Sequence, residues 1–172
     1  MIDLKKFCYQ YEDFPERFRQ IGNPWSRHEY TFATDRKIIV RVPRIMGTHD
    51  NRMAPDALNL PWNDRPTLSA DIPDLPESIM EICKFCEGEP VICEKPRFVC
   101  DDCHGTGIQE VLQDIEVAGT WYNSKYLRII KDLPDYEFFP VSIAGLTPDQ
   151  MRGKASHFTF DGGEGLLMPI LR

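Results

Sequence analysis

Four cysteines have the clearest chemical potential in this sequence. Cys83 and Cys86 form one C-x-x-C pair, and Cys100 and Cys103 form a second pair after a short intervening segment. Each pair can make a tight turn that directs two sulfurs at one point, and four thiolates are a ligand set that tetrahedral zinc prefers. The spacing therefore predicts one structural Zn²⁺. A closed four-sulfur site leaves no position for a substrate, so this centre by itself predicts no reaction.

Two further residues could replace a ligand at this centre. Cys93 lies between the pairs and His104 directly follows the second pair; Cys93 is outside both turns, which favours a spare thiol. Cys8 lies on the apolar face of a predicted helix, and we expect it to be a small core residue. The segment 103–107, Cys-His-Gly-Thr-Gly, is similar to the cysteine-rich repeats of J-domain chaperones. That resemblance implies a shared knuckle design.

No other group of residues forms a recognisable catalytic site. The sequence lacks the G-x-S-x-G, H-E-x-x-H and G-x-x-x-x-G-K motifs. The acidic, glycine-rich segment 161–165 suits a hairpin turn better than a phosphate cradle, because its carboxylates would repel an anion. We therefore expect a protein that is not an enzyme, with His49 and Asp50 as the best remaining pair for chemistry. The histidines are scattered singly: His28, His49, His104 and His157.

Composition and charge limit the partners. The chain has 172 residues, 42% of them hydrophobic, with a net charge of −7 and a pI of about 5.1. Nucleic-acid-binding domains are usually basic, so DNA contact would have to come from a local basic surface. No run of about twenty apolar residues and no secretion signal is present. We therefore expect a cytoplasmic protein without a membrane partner, in which paired cysteines hold metal rather than form disulfides.

Hydrophobic periodicity predicts the elements that position these groups. We expect a helix over 3–12, a hairpin over 29–42 with its turn at Asp35 and Arg36, and a proline-rich connection over 43–77. After the cysteines we expect one long or two short strands over 108–117, a helix over 123–133, a strand over 137–141 and a hairpin around 161–164. The predicted fold is α+β, with a body of residues 1–80 and 106–172 and a small zinc ribbon inserted at 81–105.

Three segments of the body resemble one domain of the bacterial sliding clamp, the beta subunit of DNA polymerase III. Residues 31–40 (TFATDRKIIV) are similar to a clamp strand–turn–strand, although Arg36 stands where that family has glycine. Residues 123–133 (NSKYLRIIKDL) are similar to a clamp helix, and residues 165–172 (GLLMPILR) to the closing strand. The resemblance implies two helices packed on curved antiparallel sheet, with the helices facing duplex DNA.

Besides a hydrolase that would use the insertion as a lid, for which no catalytic constellation is recognisable, two functions are open at this point. One is a non-enzymatic, clamp-like accessory protein of DNA replication, of phage or prophage origin. It would bind duplex DNA, replication proteins or a second copy through its sheet edges. Its predicted DNA-binding residues are the basic side chains of the two helices: Lys5, Lys6, Lys125, Arg128 and Lys131. The last three are predicted to lie opposite an apolar arc of the second helix, which consists of Tyr122, Tyr126, Ile129, Ile130 and Leu133. The alternative is a zinc-ribbon adaptor that binds a protein through exposed Phe85 and Phe98, with no DNA contact.

Overall fold

The computed structural model describes most of the chain as two compact units. The described residues are 2–8, 21–50, 57–89, 91–94, 97–100, 103, 106–142, 145–146, 150 and 153–170, with backbone only over 91–99. The first unit, which we call the body, comprises Met1–Leu75 and Asp114–Arg172. The second unit, which we call the finger, is Pro76–Gln113.

The described residues are mostly antiparallel β-structure with one α-helix, so the fold class is α+β. In chain order the strands and the helix are β1 (Trp25–Arg27), β2 (Tyr30–Thr34), β3 (Ile38–Pro43), β4 (Ile79–Ile82), β5 (Val91–Glu94), β6 (Arg97–Val99), β7 (Ile108–Val111), β8 (Asp114–Val117), β9 (Thr120–Asn123), α1 (Ser124–Lys131), β10 (Glu137–Phe139), β11 (Ser156–Phe160) and β12 (Gly163–Leu167). Two short 3₁₀ helices cover Leu4–Phe7 and Ala57–Asn59. No helix in the described ranges is long and apolar enough to cross a bilayer.

The body is built on one six-stranded antiparallel sheet with a symmetric strand order. The order is β1-β2-β3-β12-β11-β10, so two three-stranded meanders meet at the β3–β12 pair. At this junction Arg41 lies opposite Glu164 and Val40 lies opposite Gly165. The first meander follows the N-terminal 3₁₀ helix in the chain and the second follows α1. Each half of the sheet therefore comes after a helical element.

The predicted β2–β3 hairpin is present, and its turn is held by one aspartate. The Asp35 carboxylate accepts hydrogen bonds from the backbone N–H groups of Lys37 (2.9 Å) and Ile38 (3.1 Å). Arg36, the first residue of the turn proper, has φ of 81°. This left-handed conformation is one that glycine adopts without steric cost and that type II′ hairpin turns require at that position.

The predicted hairpin around 161–164 also forms, with a tighter turn than expected. Asp161 and Gly162 alone connect the strands, and Gly162 has φ of 88°. Gly163 and Glu164 are therefore the start of β12 rather than part of the turn. Glycine adopts this positive φ without steric cost, which lets two residues connect the strands.

The helix α1 packs on one face of the sheet. The Asn123 side chain caps it by accepting a hydrogen bond from Lys125 N at 2.9 Å, and Leu127 and Ile130 are completely buried. The predicted apolar arc of this helix was wrong in its centre. It left out Leu127, which is buried, and it included Ile129, which is only partly buried at the flank of the observed apolar face. The side chains that pack against α1 include Phe7, Val40, Tyr122 and Phe158.

The predicted helix over 3–12 is only partly correct. The backbone forms a single 3₁₀ turn, Leu4–Phe7, whose start is capped by Asp3. Cys8 has extended backbone (φ −86°, ψ 157°), so the helix ends there, and residues 9–12 lie outside the described part of the chain. One turn is sufficient to bury Leu4 and Phe7, which are three residues apart. The strand predicted over 137–141 also ends early, at Phe139, because Pro140 has no N–H for the ladder.

The opposite face of the sheet carries a second core formed partly by the proline-rich connection. Trp62 is buried against Phe32, with ring centroids 6.4 Å apart, and its indole N–H donates to Ala57 O at 2.7 Å. Trp25 stacks on Phe32 in the same cluster. The sequence predicted a long connection or a loop laid across the surface, and most of its described part is exposed, with Ala57 and Trp62 buried in this second core.

The finger contains two small antiparallel pairs. Strands β4 and β7 pair with Ile79 opposite Val111 and Ile82 opposite Ile108. Strands β5 and β6 form the second pair, with an irregularity between Val91 and Cys93. The predicted extended region over 108–117 is thus two short strands, β7 in the finger and β8 in the body, where β8 pairs with β9.

Candidate metal centre

The four predicted cysteines converge in the finger. Their sulfurs all lie within 4.8 Å of one another, and all four side chains are buried. The Sγ–Sγ distance is 3.7 Å for Cys83 and Cys100 and 3.5 Å for Cys86 and Cys103. These distances exclude disulfide bonds, in which the sulfurs are about 2 Å apart. They match the separation of about 3.8 Å that a tetrahedron with metal–sulfur bonds of about 2.3 Å requires.

Backbone contacts between the two knuckles fix this arrangement. The Cys83 N–H donates to Gly107 O at 2.9 Å, which joins the start of the first knuckle to the end of the second. Gly107 N–H in turn donates to Cys103 Sγ at 3.3 Å, a contact that favours a thiolate. Gly107 has φ of 73°, and a Cβ added there would lie 2.7 Å from Gly88 O. Glycine is therefore required at 107 for the two knuckles to approach.

Burial disfavours free thiolates at this site, so the sulfurs could ionise together only with a cation among them. Burial, the larger cause, and the hydrogen bond between the Cys86 and Cys103 sulfurs both raise the pKa of the Cys86 thiol, to about 12. Without a cation the thiol stays protonated at neutral pH, and a divalent ion compensates the charge that ligation creates. Buried sulfurs at tetrahedral spacing therefore fit a metal ion as the bound group. In the described part of the chain these cysteines are the one cluster of residues with this property.

Cys8, Cys93 and His104 are the remaining residues considered as thiols or alternative ligands. Cys8 is buried in the body, where its Sγ contacts Leu4 O at 3.6 Å and burial raises the pKa of its thiol to about 12. This places it in the core as an unreactive thiol. The side chain of Cys93 and the whole of His104 lie outside the described residues, so their substitution for a ligand stays a prediction.

The five predicted DNA-binding residues occupy two neighbouring places in the body. Lys5 and Lys6 are exposed on the N-terminal 3₁₀ helix, and a cavity of about 370 Å³ lies between Lys6 and Asp132 at the end of α1. Lys125 and Arg128 are half-buried on α1. Lys125 directly follows the buried Ser124, and Arg128 directly follows the buried Leu127. Both basic residues therefore border the buried face of the helix and do not lie opposite it.

Lys131, the last of the five, is engaged within the chain. Its ammonium group lies 3.0 Å from a carboxylate oxygen of Asp74 and donates to Pro73 O at 3.2 Å. The Asp74 side chain is fully exposed, and about a third of the Lys131 side chain is accessible. The basic surface of α1 is therefore partly neutralised by the proline-rich connection.

The candidate pair for catalysis is not assembled. His49 is exposed, and the Asp50 carboxylate is bound by the Arg44 guanidinium at 2.8 Å, which makes it an ion-pair partner. His28 is exposed at the β1–β2 turn, where its φ is 53°. His157 is buried beneath the proline-rich connection, and burial lowers its pKa. None of these three histidines has a nucleophile paired with it among the described hydrogen bonds.

A largely buried arginine, Arg41, was missed by sequence reasoning; 14% of its side chain is accessible. The Arg41 guanidinium is stacked between the rings of Tyr30 (4.7 Å) and Trp62 (4.2 Å) and is bonded to Glu164 at 2.6 Å. It stands beside an open cavity of about 400 Å³. Along β3, Arg41 lies between Val40 and Val42 and therefore points to the opposite face of the sheet from these two valines. This alternation could have indicated from the sequence that Arg41 lies on the second sheet face. Its charge is satisfied within the chain, so we assign it to packing of the proline-rich connection.

Comparison with protein families, with curated proteins and with solved structures finds no match for this chain, so its function is argued from the geometry above.

Proposed function

We propose that the protein is a non-enzymatic, clamp-like accessory protein of DNA replication, of phage or prophage origin, whose finger is folded around one structural zinc ion. The symmetric sheet is the observation that carries this proposal. Two meanders meet at the β3–β12 pair, and each follows a helical element, which is the repeat that a sliding-clamp domain implies. The N-terminal 3₁₀ helix and α1 share one core on the sheet, as two clamp helices would.

Zinc is the metal we propose for the finger. Four thiolates form a soft ligand set that suits zinc over magnesium or calcium, and a closed tetrahedral site is typical of a structural ion. Metal analysis of the purified protein should give one zinc per chain, and Cys100→Ser should lose it. Retention of zinc by Cys83→Ser and Cys100→Ser alike would refute the assignment of these ligands.

DNA contact would come from the basic side chains beside α1. Lys125 and Arg128 are partly accessible there, and Lys5 and Lys6 are exposed nearby on the N-terminal turn. Such side chains contact phosphates without reading sequence. Since the chain has a net charge of −7, binding should be weak and confined to low salt.

Opposite effects of two neighbouring variants test this proposal. Lys131→Ala should weaken duplex binding and lower the slope of log affinity against log salt by up to about 0.9, the value for one phosphate contact. Asp74→Asn removes the carboxylate that now pairs with Lys131, so it should tighten binding. Fluorescence anisotropy of a labelled duplex at low salt measures both effects. Lys154→Ala, at an exposed site elsewhere in the body, is the matched control. Absence of duplex binding by the unaltered protein at low salt would refute DNA contact.

A second candidate function is protein binding by the finger, and the exposed apolar side chains of the finger favour it. Phe85, between the first two zinc ligands, is 68% exposed. The Phe98 side chain, the other predicted anchor, lies outside the described residues. Deletion of the finger separates the two functions, because duplex binding by the body should survive it and protein binding should not.

A further inference from the structure

Exposed apolar side chains are concentrated in the finger. Six of the large apolar residues that the structure describes as exposed lie within Pro76–Gln113: Ile79, Met80, Ile82, Phe85, Ile108 and Leu112. The buried cluster of the finger consists of its four cysteines, so the metal centre holds this unit together. These six exposed side chains therefore do not belong to the buried cluster of the finger. Apolar groups gathered on a small unit mark a surface for another molecule.

Three of these residues share one face of the β4–β7 pair. Ile82 lies directly opposite Ile108, and Met80 precedes Ile82 by two residues, so all three point to the same side. Met80 is 55% exposed and Ile82 is 64% exposed. Ile82 also borders the first knuckle, since a Cβ added at Gly88 would lie 3.4 Å from its Cγ2. We call Met80, Ile82 and Ile108 the ladder face.

Acidic residues accompany the ladder face. Glu110 lies opposite Met80 on the same side of the pair, and Glu87 and Glu89 flank Gly88 beside Ile82. The finger has eight acidic and three basic residues, a net charge of −5 out of −7 for the chain. Four thiolates around a divalent ion add a further net charge of −2. Such a surface repels phosphate and attracts a basic polypeptide.

We propose that the ladder face binds a basic segment of a partner protein. Apolar side chains of that segment pack on Met80 and Ile82, and its lysine or arginine side chains pair with the surrounding carboxylates. The inference rests on the metal-stabilised finger proposed above, and it names the chemistry of the partner for the second candidate function.

The test uses the full-length, zinc-loaded protein and short, fluorescently labelled peptides. A peptide with leucines flanked by lysines should bind, whereas peptides with glutamate in place of lysine, or with serine in place of leucine, should not. Met80→Ser with Ile82→Ser should weaken binding about tenfold or more, as removal of central apolar anchors does. Leu68→Ser, which changes a 79% exposed leucine of the body, is the matched control and should leave binding unchanged.

Zinc content and circular dichroism of each variant distinguish loss of docking from loss of the finger. Absence of bound zinc in the purified protein would refute the proposed metal centre. Absence of binding between the zinc-loaded protein and the lysine–leucine peptide would refute the docking inference alone. Equal binding by the double variant also overturns it. So does self-association that disappears in the same double variant, because the occupant would then be a second copy of this chain.

Discussion

Two glycines of β12 are matched to two phenylalanines of β11, and this pairing makes a quantitative prediction. Phe158 lies opposite Gly165, and Phe160 lies opposite Gly163. A Cβ added at Gly165 would lie 2.5 Å from Phe158 Cε1 and 2.6 Å from Cε2. Each ring thus covers a glycine on the neighbouring strand. Gly163 and Gly165 therefore allow β11 and β12 to pack at this distance.

The cost of Gly165→Ala can be worked out from this contact. Carbon atoms pack at about 3.5–4.0 Å, and Phe158 Cζ lies nearer to the added Cβ than either Cε atom does, so the ring would have to move by more than about 1 Å. The ring has no room to do so, because it is completely buried and stacks on Phe160 with centroids 6.1 Å apart. Overpacking of this kind costs about 1–3 kcal/mol, offset in part by about 0.4–1 kcal/mol from the stiffer unfolded chain. We expect a net loss of about 1–2 kcal/mol in the free energy of unfolding.

A double-mutant cycle followed by urea unfolding isolates the contact. In a Phe158→Leu background the smaller side chain leaves space for the new methyl group, so Gly165→Ala should cost less by about 1 kcal/mol. Gly163→Ala is the matched control, because its added Cβ would lie 2.8 Å from Arg41 O, a backbone atom that Phe158→Leu leaves in place. Equal costs of Gly165→Ala in the two backgrounds would refute the packing argument.

Three further predictions concern the β2–β3 turn, the metal and a buried histidine. Arg36→Gly should raise the free energy of unfolding by about 0.5 kcal/mol, since relief of a left-handed backbone exceeds the added freedom of the unfolded chain; a thermal melt that shows clear destabilisation would contradict this. Chelation of the metal should abolish hydrogen-exchange protection within Pro76–Gln113 while the body keeps its own, because the buried cluster of the finger is its four ligands; persistent protection in the finger would argue against a metal-dependent fold. The pKa of His157 is lowered by burial, so the unfolded chain binds this proton at a higher pH than the folded chain does. Its contribution to stability should be complete above about pH 6.5 and should decline as the pH falls below that value. His157→Gln should therefore flatten the loss of stability between about pH 7.5 and about pH 5.5, and an unchanged profile would refute the assignment to this residue.

Local signals in the sequence were sufficient for elements that are stabilised by neighbouring residues. Alternation and Asp35 predicted the β2–β3 hairpin, and Asn123 with the following apolar spacing predicted α1. Each C-x-x-C knuckle is equally local because it forms within four residues, and the repeated spacing indicated that the two knuckles would meet at one ion. In these elements the contacts that the pattern contains lie close together in the chain, whereas the bond from Cys83 N–H to Gly107 O joins the knuckles over a longer distance in sequence.

Features that depend on distant contacts could not be predicted in this way. Trp62 covers the second sheet face through packing on Phe32, and nothing in the irregular proline-rich connection indicates that partner. Strand β4 was missed because its residues are exposed on both sides, so it has no alternation of apolar and polar positions. Leu127 is at the centre of the buried face of α1 because of where the helix meets the sheet. The periodicity of the helix alone defines that position only to within about one residue.

The distribution of charge argues that the two candidate functions belong to different units and do not compete. The finger carries −5 of the net charge of −7, so the body is close to neutral, and five of its basic side chains lie on α1 and the N-terminal turn. An acidic, apolar ladder face cannot attract phosphate, and Lys125 and Arg128 offer no apolar surface for a basic peptide. If both proposals hold, added salt should weaken duplex binding steeply and peptide binding less, because burial of Met80 and Ile82 does not depend on ionic strength. Removal of the metal should then abolish peptide binding while duplex binding by the body remains.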